Sequence, residues 1–226
     1  MSLAPWAFGA LALAAAVAIA GSASASVFPT TSGLSAIRDA IIREALKAVG
    51  LSASGDPTAF EEFLGGSDEA AGMKHDMALA PASSTCGLVM RAILRAAGFK
   101  DPRLFAPYRI GMAISDLIAM AKEVGAWIEP AAGVAPPRAG DLLFLDVDKP
   151  TGHVATITAF DPVALTLETV DGGAVDAQGH QSVAKRTRRW NQIGAIIIDT
   201  PNMGNQHRVT GWIDVDKLAA GQGLAA

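Results

Sequence analysis

The chain has 226 residues, with 22 acidic side chains against 18 basic ones and a net charge of −4. That balance excludes a nucleic-acid partner, which needs a dominant basic surface. A single cysteine excludes an internal disulfide, so its thiol is either a small core group or a nucleophile.

Half of the residues are hydrophobic, and the excess lies at the N-terminus. Leu3 to Ala20 holds no charged or strongly polar side chain, and the first charged side chain is Arg38. Residues 3–20 are long enough to contact or just span a bilayer. Ala23-Ser24-Ala25 then supplies a small-x-small cleavage pattern. The expectation is a signal peptide or N-terminal membrane anchor over residues 1–25, hence an exported or membrane-anchored protein of the periplasm or cell envelope. No Lys or Arg precedes the apolar run, so a cytoplasmic or phage-encoded protein is the alternative. Residues 26–33 read as a linker, 34–216 as one domain and 217–226 as a loose tail.

Within the domain, Leu34–Val49 carries apolar residues at spacings of three and four, the signature of an amphipathic helix. Asp56-Pro57 opens a short helix through Phe60, Phe63 and Leu64, which Gly65-Gly66 breaks. A third helix runs from Thr85 to Ala97, with Val89, Ile93 and Leu94 inward and Arg91 and Arg95 outward; Gly98 caps it. A fourth spans Ile110–Val124. The period then changes to that of strands: Leu142–Leu145, His153–Ala159, Leu165–Val170, Ser182–Trp190, Gly194–Asp199 and Val209–Asp214. Helices first and antiparallel strands second make an α+β fold.

The chemistry gathers around Ser83-Ser84-Thr85-Cys86-Gly87-Leu88-Val89. A thiol in the first turn of a helix meets unpaired N–H groups and partial positive charge, which favour the thiolate. A thiolate nucleophile needs a base, and the base needs an orienting acceptor. His153 opens a strand directly after Thr151-Gly152, rigid on one side and accessible on the other; the competing reading is a histidine that faces solvent. A hairpin centred on Pro162 sets residue 171 opposite residue 153, so Asp171 is the acceptor expected beside His153. Glu168 is the second choice, and ordinary turn chemistry with Gly172-Gly173 is the competing role for Asp171. Lys185-Arg186-Thr187-Arg188-Arg189-Trp190 concentrates four positive charges. Either it edges a substrate groove, with Arg186, Arg188 and Trp190 as the contacts, or it is a solvated edge strand guarded by charge.

These segments together resemble a family. A cysteine at a helix start followed by Gly-Leu-Val, then Arg138-Ala139-Gly140-Asp141-Leu142-Leu143-Phe144-Leu145, then Gly152-His153-Val154-Ala155, then a polar residue on the next strand, resembles the papain-like cell-wall hydrolases. These are the NlpC-type peptidases and the CHAP amidase/peptidase group, and the segment at 169–173 with the basic strand resembles phage-associated members. The likeness covers Leu34 to Ile198. It implies a papain-like fold, N-terminal helices packed on an antiparallel sheet, with Cys86 as nucleophile, His153 as base and Asp171 as third residue. It further implies acyl transfer to Cys86 from a peptidoglycan amide. The oxyanion would be met by the Cys86 backbone N–H and a donor from Ser84 or Thr85. Neither a metal nor a cofactor is implied. Thr85-Cys86-Gly87-Leu88 departs from the usual Asp-Cys-Ser-Gly, which leaves the cleaved bond open. Two other functions fit the same residues: an inactive member that binds wall or protein, and a thiol acyltransferase or deamidase.

Overall fold

In the computed structural model, the described residues are 35–65, 85–105, 112–148, 152–175, 179–191, 196–200 and 206–224. Helices α1 (Ala36–Ala48), α2 (Pro57–Leu64), α3 (Cys86–Ala96) and α4 (Met112–Glu123) precede the main run of strands. The strands are β1 (Trp127–Ile128), β2 (Leu142–Leu145), β3 (His153–Asp161), β4 (Thr166–Val175), β5 (Gln181–Asn191), β6 (Ile196–Thr200) and β7 (Gln206–Ile213). All pair antiparallel in the order β1-β7-β2-β3-β4-β5-β6, and β6 pairs back onto β7. Six strands therefore close into a ring, with β1 added at the edge of β7. Closure removes most of the free edge that an open sheet would expose.

The ring sorts its side chains by parity. Leu143, Leu145, Ile157, Leu167, Trp190, Val209 and Trp212 form one apolar cluster on its inner face. Leu142, Phe144, Val154, Val170, Val183 and Ile213 face the other way and join the helices in the larger core. At the centre of that core is α3, buried continuously from Cys86 to Leu94. It packs against β3 and β4 and against α1, α2 and α4. A helix covered all round has no outward side, so Arg91, expected in solvent, is 2% exposed. Arg95 likewise turns inward. It donates to Leu104 O at 2.6 Å and to Leu64 O at the C-terminal end of α2. Gly98 (φ 100°) ends α3 as expected: its N–H reaches Arg95 O and the Phe99 N–H reaches Leu94 O.

The segment Arg138-Ala139-Gly140-Asp141 has a structural role. Arg38 of α1 is 1% exposed and contacts Asp141 (2.8 Å), Asp214 (3.0 Å) and Asp216 (2.7 Å), and donates to Ala139 O. Burial pushes the Asp141 carboxyl up against the pull of Arg38. Gly140 (φ 92°) makes the approach possible, since a Cβ there would lie 2.9 Å from Arg38 Cβ. This network ties the first helix to the start of β2 and to the end of the chain.

That end is not loose. Residues expected as tail from 217 onward lie partly in a fifth helix, α5 (Val215–Gly221), capped by the Asp214 carboxylate, which accepts from Asp216 N–H. Val215, Leu218 and Ala219 recur at helical spacing and are fully buried. The cause is size: a Cβ on Gly221 would lie 2.5 Å from Val124 Cβ, so only a glycine lets this turn dock on the end of α4.

Among the described residues no helix is long and apolar enough to cross a membrane. Residues 1–34, where the signal or anchor is expected, lie outside them.

Replacing Arg38 with Met should destabilise the fold by about 3–5 kcal/mol, because Asp141 would be left as an unpaired buried charge. Urea unfolding measures this, and a loss below 1 kcal/mol would show that the network is dispensable.

Candidate active site

Cys86 is the first residue of α3 and is 1% exposed. The residue before it, Thr85, makes no side-chain cap to its own helix. Its N–H and its hydroxyl instead both reach Gln181 Oε1 of β5, at 3.4 and 3.3 Å. Thr85 was a candidate oxyanion donor, but both of its donors are engaged by this buried carboxamide. Ser84, the other candidate, lies outside the described residues. A helix start supplies first-turn N–H groups as donors, and Cys86 stands in the first turn of α3.

His153 opens β3, and its Nε2–H donates to Asp171 Oδ2 at 2.8 Å. The side chain also hydrogen-bonds Cys86. With Nε2 committed to a carboxylate that can only accept, Nδ1 is the nitrogen left for the thiol. The structure thus brings Cys86, His153 and Asp171 together.

Their pairing differs in detail from the hairpin arithmetic. The loop between β3 and β4 is longer than a Pro162-centred turn, held by Asp161 Oδ1 accepting from Val163 and Ala164 N–H. A bulge in β3 at Thr158 takes back one residue. The residue opposite Asp171 is Ala155, and continuing that register would set Gly173 opposite His153. A slip of two keeps the face, so Asp171 and His153 meet diagonally across the ladder. The strand does not break at residue 171: β4 runs on to Val175, with a bulge against β5 between Asp171 and Ala174.

Parity now explains the site. Asp171 points to the inner face with Thr169, while Gly172 points out toward α3. A Cβ on Gly172 would lie 2.6 Å from Val89 Cγ2 and 3.1 Å from Cys86 Cα. The glycine is therefore the contact that seats the start of α3 on β4. His153, at the rim of the ring, bridges the outer-face cysteine and the inner-face acid.

Asp171 is 1% exposed and densely bonded. The Thr169 hydroxyl donates to Oδ1 at 2.7 Å, Arg188 Nη1 to Oδ1 at 2.9 Å and Arg188 Nη2 to Oδ2 at 2.5 Å. Burial would raise this carboxyl, but the charge and hydrogen bonds of Arg188, then those of His153, hold it well below the usual carboxylate range. For His153, burial works to lower the imidazole, but the Asp171 and Cys86 contacts outweigh it and raise it to about 10. The arrangement favours a thiolate–imidazolium pair at neutral pH.

The other expected groove residues separate. Even-numbered residues of β5 face the ring, so Arg188 is 2% exposed and bound to Asp171 rather than edging a groove. Trp190 is buried in the ring beside Phe160 and Trp212, with ring centroids 6.4 and 6.3 Å away. It lines a cavity of about 930 Å³ shared with the 129–136 segment and Trp212, which Cys86, His153 and Asp171 do not line. Arg186 stays at the site: its side chain is 40% exposed, and its Nε lies 3.7 Å from Asp171 Oδ2. Glu168 has the opposite parity to Asp171, pairs with Lys185 at 2.6 Å and takes no part.

Three contributors were not expected from the sequence. Thr169 is two residues from Asp171 on one strand face, a spacing that does carry the signal. Gly172, followed by Gly173, carries the sequence signature of a turn. Gln181 offers no local signal, because its role depends on where β5 passes α3. A comparison against protein-family models gives no match, and neither does one against curated proteins.

Two outcomes are expected here. Gly172→Ala should lower stability by about 1–3 kcal/mol through overpacking and slow alkylation of Cys86 as α3 is displaced; thermal melts and iodoacetamide kinetics read both, and a neutral effect would contradict the contact. His153 should titrate by NMR near pH 10 rather than near 6.5. Its raised pKa contributes stability that is fully present below about 6.5 and lost as pH rises through about 10. A midpoint near 6.5 would contradict the contacts drawn for the ring.

Proposed function

We propose that this chain is a papain-like thiol hydrolase that cleaves an amide of peptidoglycan through an acyl-enzyme on Cys86. The observation that carries the reading is the placement of His153 between the Cys86 thiol and Asp171 Oδ2 (2.8 Å), at a helix start. The resemblance of residues 138–145 and 152–155 to cell-wall hydrolases supports the substrate class. Helix α3, bearing the thiol, packs on the strand that His153 opens and on the next one, which bears the acid; this supports the papain-like assignment.

The reaction follows from the positions. His153 holds the thiol proton on Nδ1, and the Cys86 Sγ thiolate attacks the amide carbonyl, forming a C–S bond. The oxyanion meets the N–H groups of the first turn of α3, where the helix dipole adds to the hydrogen bonds. His153 passes its proton to the leaving nitrogen as the C–N bond breaks. Water, deprotonated by the same imidazole, then attacks the thioester and frees Cys86. Asp171 holds the ring with Nδ1 toward the sulfur throughout. Arg186, partly exposed beside Asp171, can meet a carboxylate of the wall peptide. The cell envelope is the compartment where this substrate is met, in keeping with the apolar N-terminal segment.

Mass spectrometry of peptidoglycan digested by the full chain identifies the bond. Wild type should release muropeptides, and Cys86→Ala should lower the rate by at least about 10³-fold. Equal release by both proteins, together with no labelling of Cys86 by a thiol-directed probe, would overturn the reading. Labelling without release would leave Cys86 a reactive thiol and overturn peptidoglycan as the substrate.

A further inference from the structure

We propose that Arg188 is a positioning residue of this site: from inside the ring it locks the Asp171 carboxylate in the one orientation that accepts from His153 Nε2 and leaves Nδ1 to Cys86. The inference rests on the hydrolase reading only for its consequence in turnover; the geometry stands without it.

The Asp171 carboxylate is saturated with donors. A carboxylate offers about four lone-pair sites. Here Oδ1 takes the Thr169 hydroxyl (2.7 Å) and Arg188 Nη1 (2.9 Å), while Oδ2 takes Arg188 Nη2 (2.5 Å) and His153 Nε2 (2.8 Å). Arg188 Nη1 also donates to Thr169 Oγ1, so the hydroxyl proton is directed at Asp171. Each site is filled, and the carboxylate has no second orientation to adopt. The fork of Arg188 sets its plane, since Nη1 and Nη2 of one guanidinium meet the two carboxylate oxygens end-on with two parallel hydrogen bonds.

Charge makes the same point. The charged groups facing Asp171 are Arg188 and Arg186 from β5, His153 from β3 and, across the imidazole, Cys86 from α3. Arg186 is 3.7 Å away and 40% exposed, whereas Arg188 is in contact and 2% exposed. Arg188 thus contributes most, ahead of His153, to keeping a fully buried carboxylate ionised. Without it the acid would take up a proton and become a donor. A donor facing Nε2 selects the tautomer with the proton on Nδ1, and that tautomer cannot accept the thiol proton.

The test uses the full chain and two readouts that need no substrate: the Asp171 side-chain ¹³C shift against pH, and the rate of Cys86 alkylation by chloroacetamide against pH. In wild type the Asp171 signal should be flat from pH 8 down to about 4, because its carboxyl lies well below the usual range. In Arg188→Met a titration step should appear above pH 4, and alkylation should fall with the same midpoint. Arg188→Lys keeps the charge and loses the fork: the Asp171 signal should stay flat while alkylation slows by about 10- to 100-fold through misalignment. A role in folding alone predicts lower melting temperatures with both pH profiles unchanged, and that result overturns the proposal. If Arg188→Met does not fold, an unslowed Arg188→Lys overturns it by itself. Peptidoglycan turnover, measured alongside, separates failure of this proposal from failure of the hydrolase reading.

Discussion

A carboxylate sealed inside a ring of strands is the constraint on which the site depends. Asp171 is 1% exposed, a position where a lone charge would not survive. It survives because Arg188, Thr169 and His153 occupy its acceptor sites. The consequence reaches Cys86. With carboxylate and guanidinium cancelling, the four-residue chain from Cys86 through His153 and Asp171 to Arg188 is neutral whether the proton lies on sulfur or on imidazole. The proton can move between them without creating a net buried charge, which is the property a thiol nucleophile needs.

The ring supplies this by alternation. Consecutive residues of β4 serve opposite faces: Asp171 turns in toward Arg188, and Gly172 turns out to admit the start of α3. One strand therefore sets both the acid and the height of the nucleophile. His153 stands at the rim, able to reach both. On the other side of Cys86, Gln181 of β5 binds Thr85 and fixes the residue before the thiol. Far from the site, Arg38 and its three aspartates hold α1, β2 and α5 together.

Much of this was legible in the residues, and the reasons are physical. The order of helices and strands followed from hydrophobic period, and Cys86 followed from its place before an apolar helical run. The pairing of His153 with Asp171 survived an error in register because the loop and the bulge at Thr158 together shift it by two, which preserves the face. A shift of one would have turned Asp171 outward and brought Glu168 in. Arg188 was not legible as a partner of Asp171, since its side depends on the β4–β5 register, and a run of positive charge reads as a solvated edge. Arg91 and Arg95 misled for a related reason. Periodicity shows which face of a helix is apolar, not whether other elements cover the remainder. The helix at Val215–Gly221 carried its apolar spacing openly but is short and rich in small residues.

If the site works as a thiol hydrolase, Cys86 becomes acylated during amide cleavage. Acid quenching within the first turnovers on a peptidoglycan fragment, followed by intact and peptide-level mass spectrometry, tests it most directly. A thioester adduct should appear on the peptide containing Cys86, with the mass of the acyl half of the fragment, removed by hydroxylamine. Cleavage that proceeds with Cys86 unmodified at every time point, and at the same rate in Cys86→Ala, would contradict it.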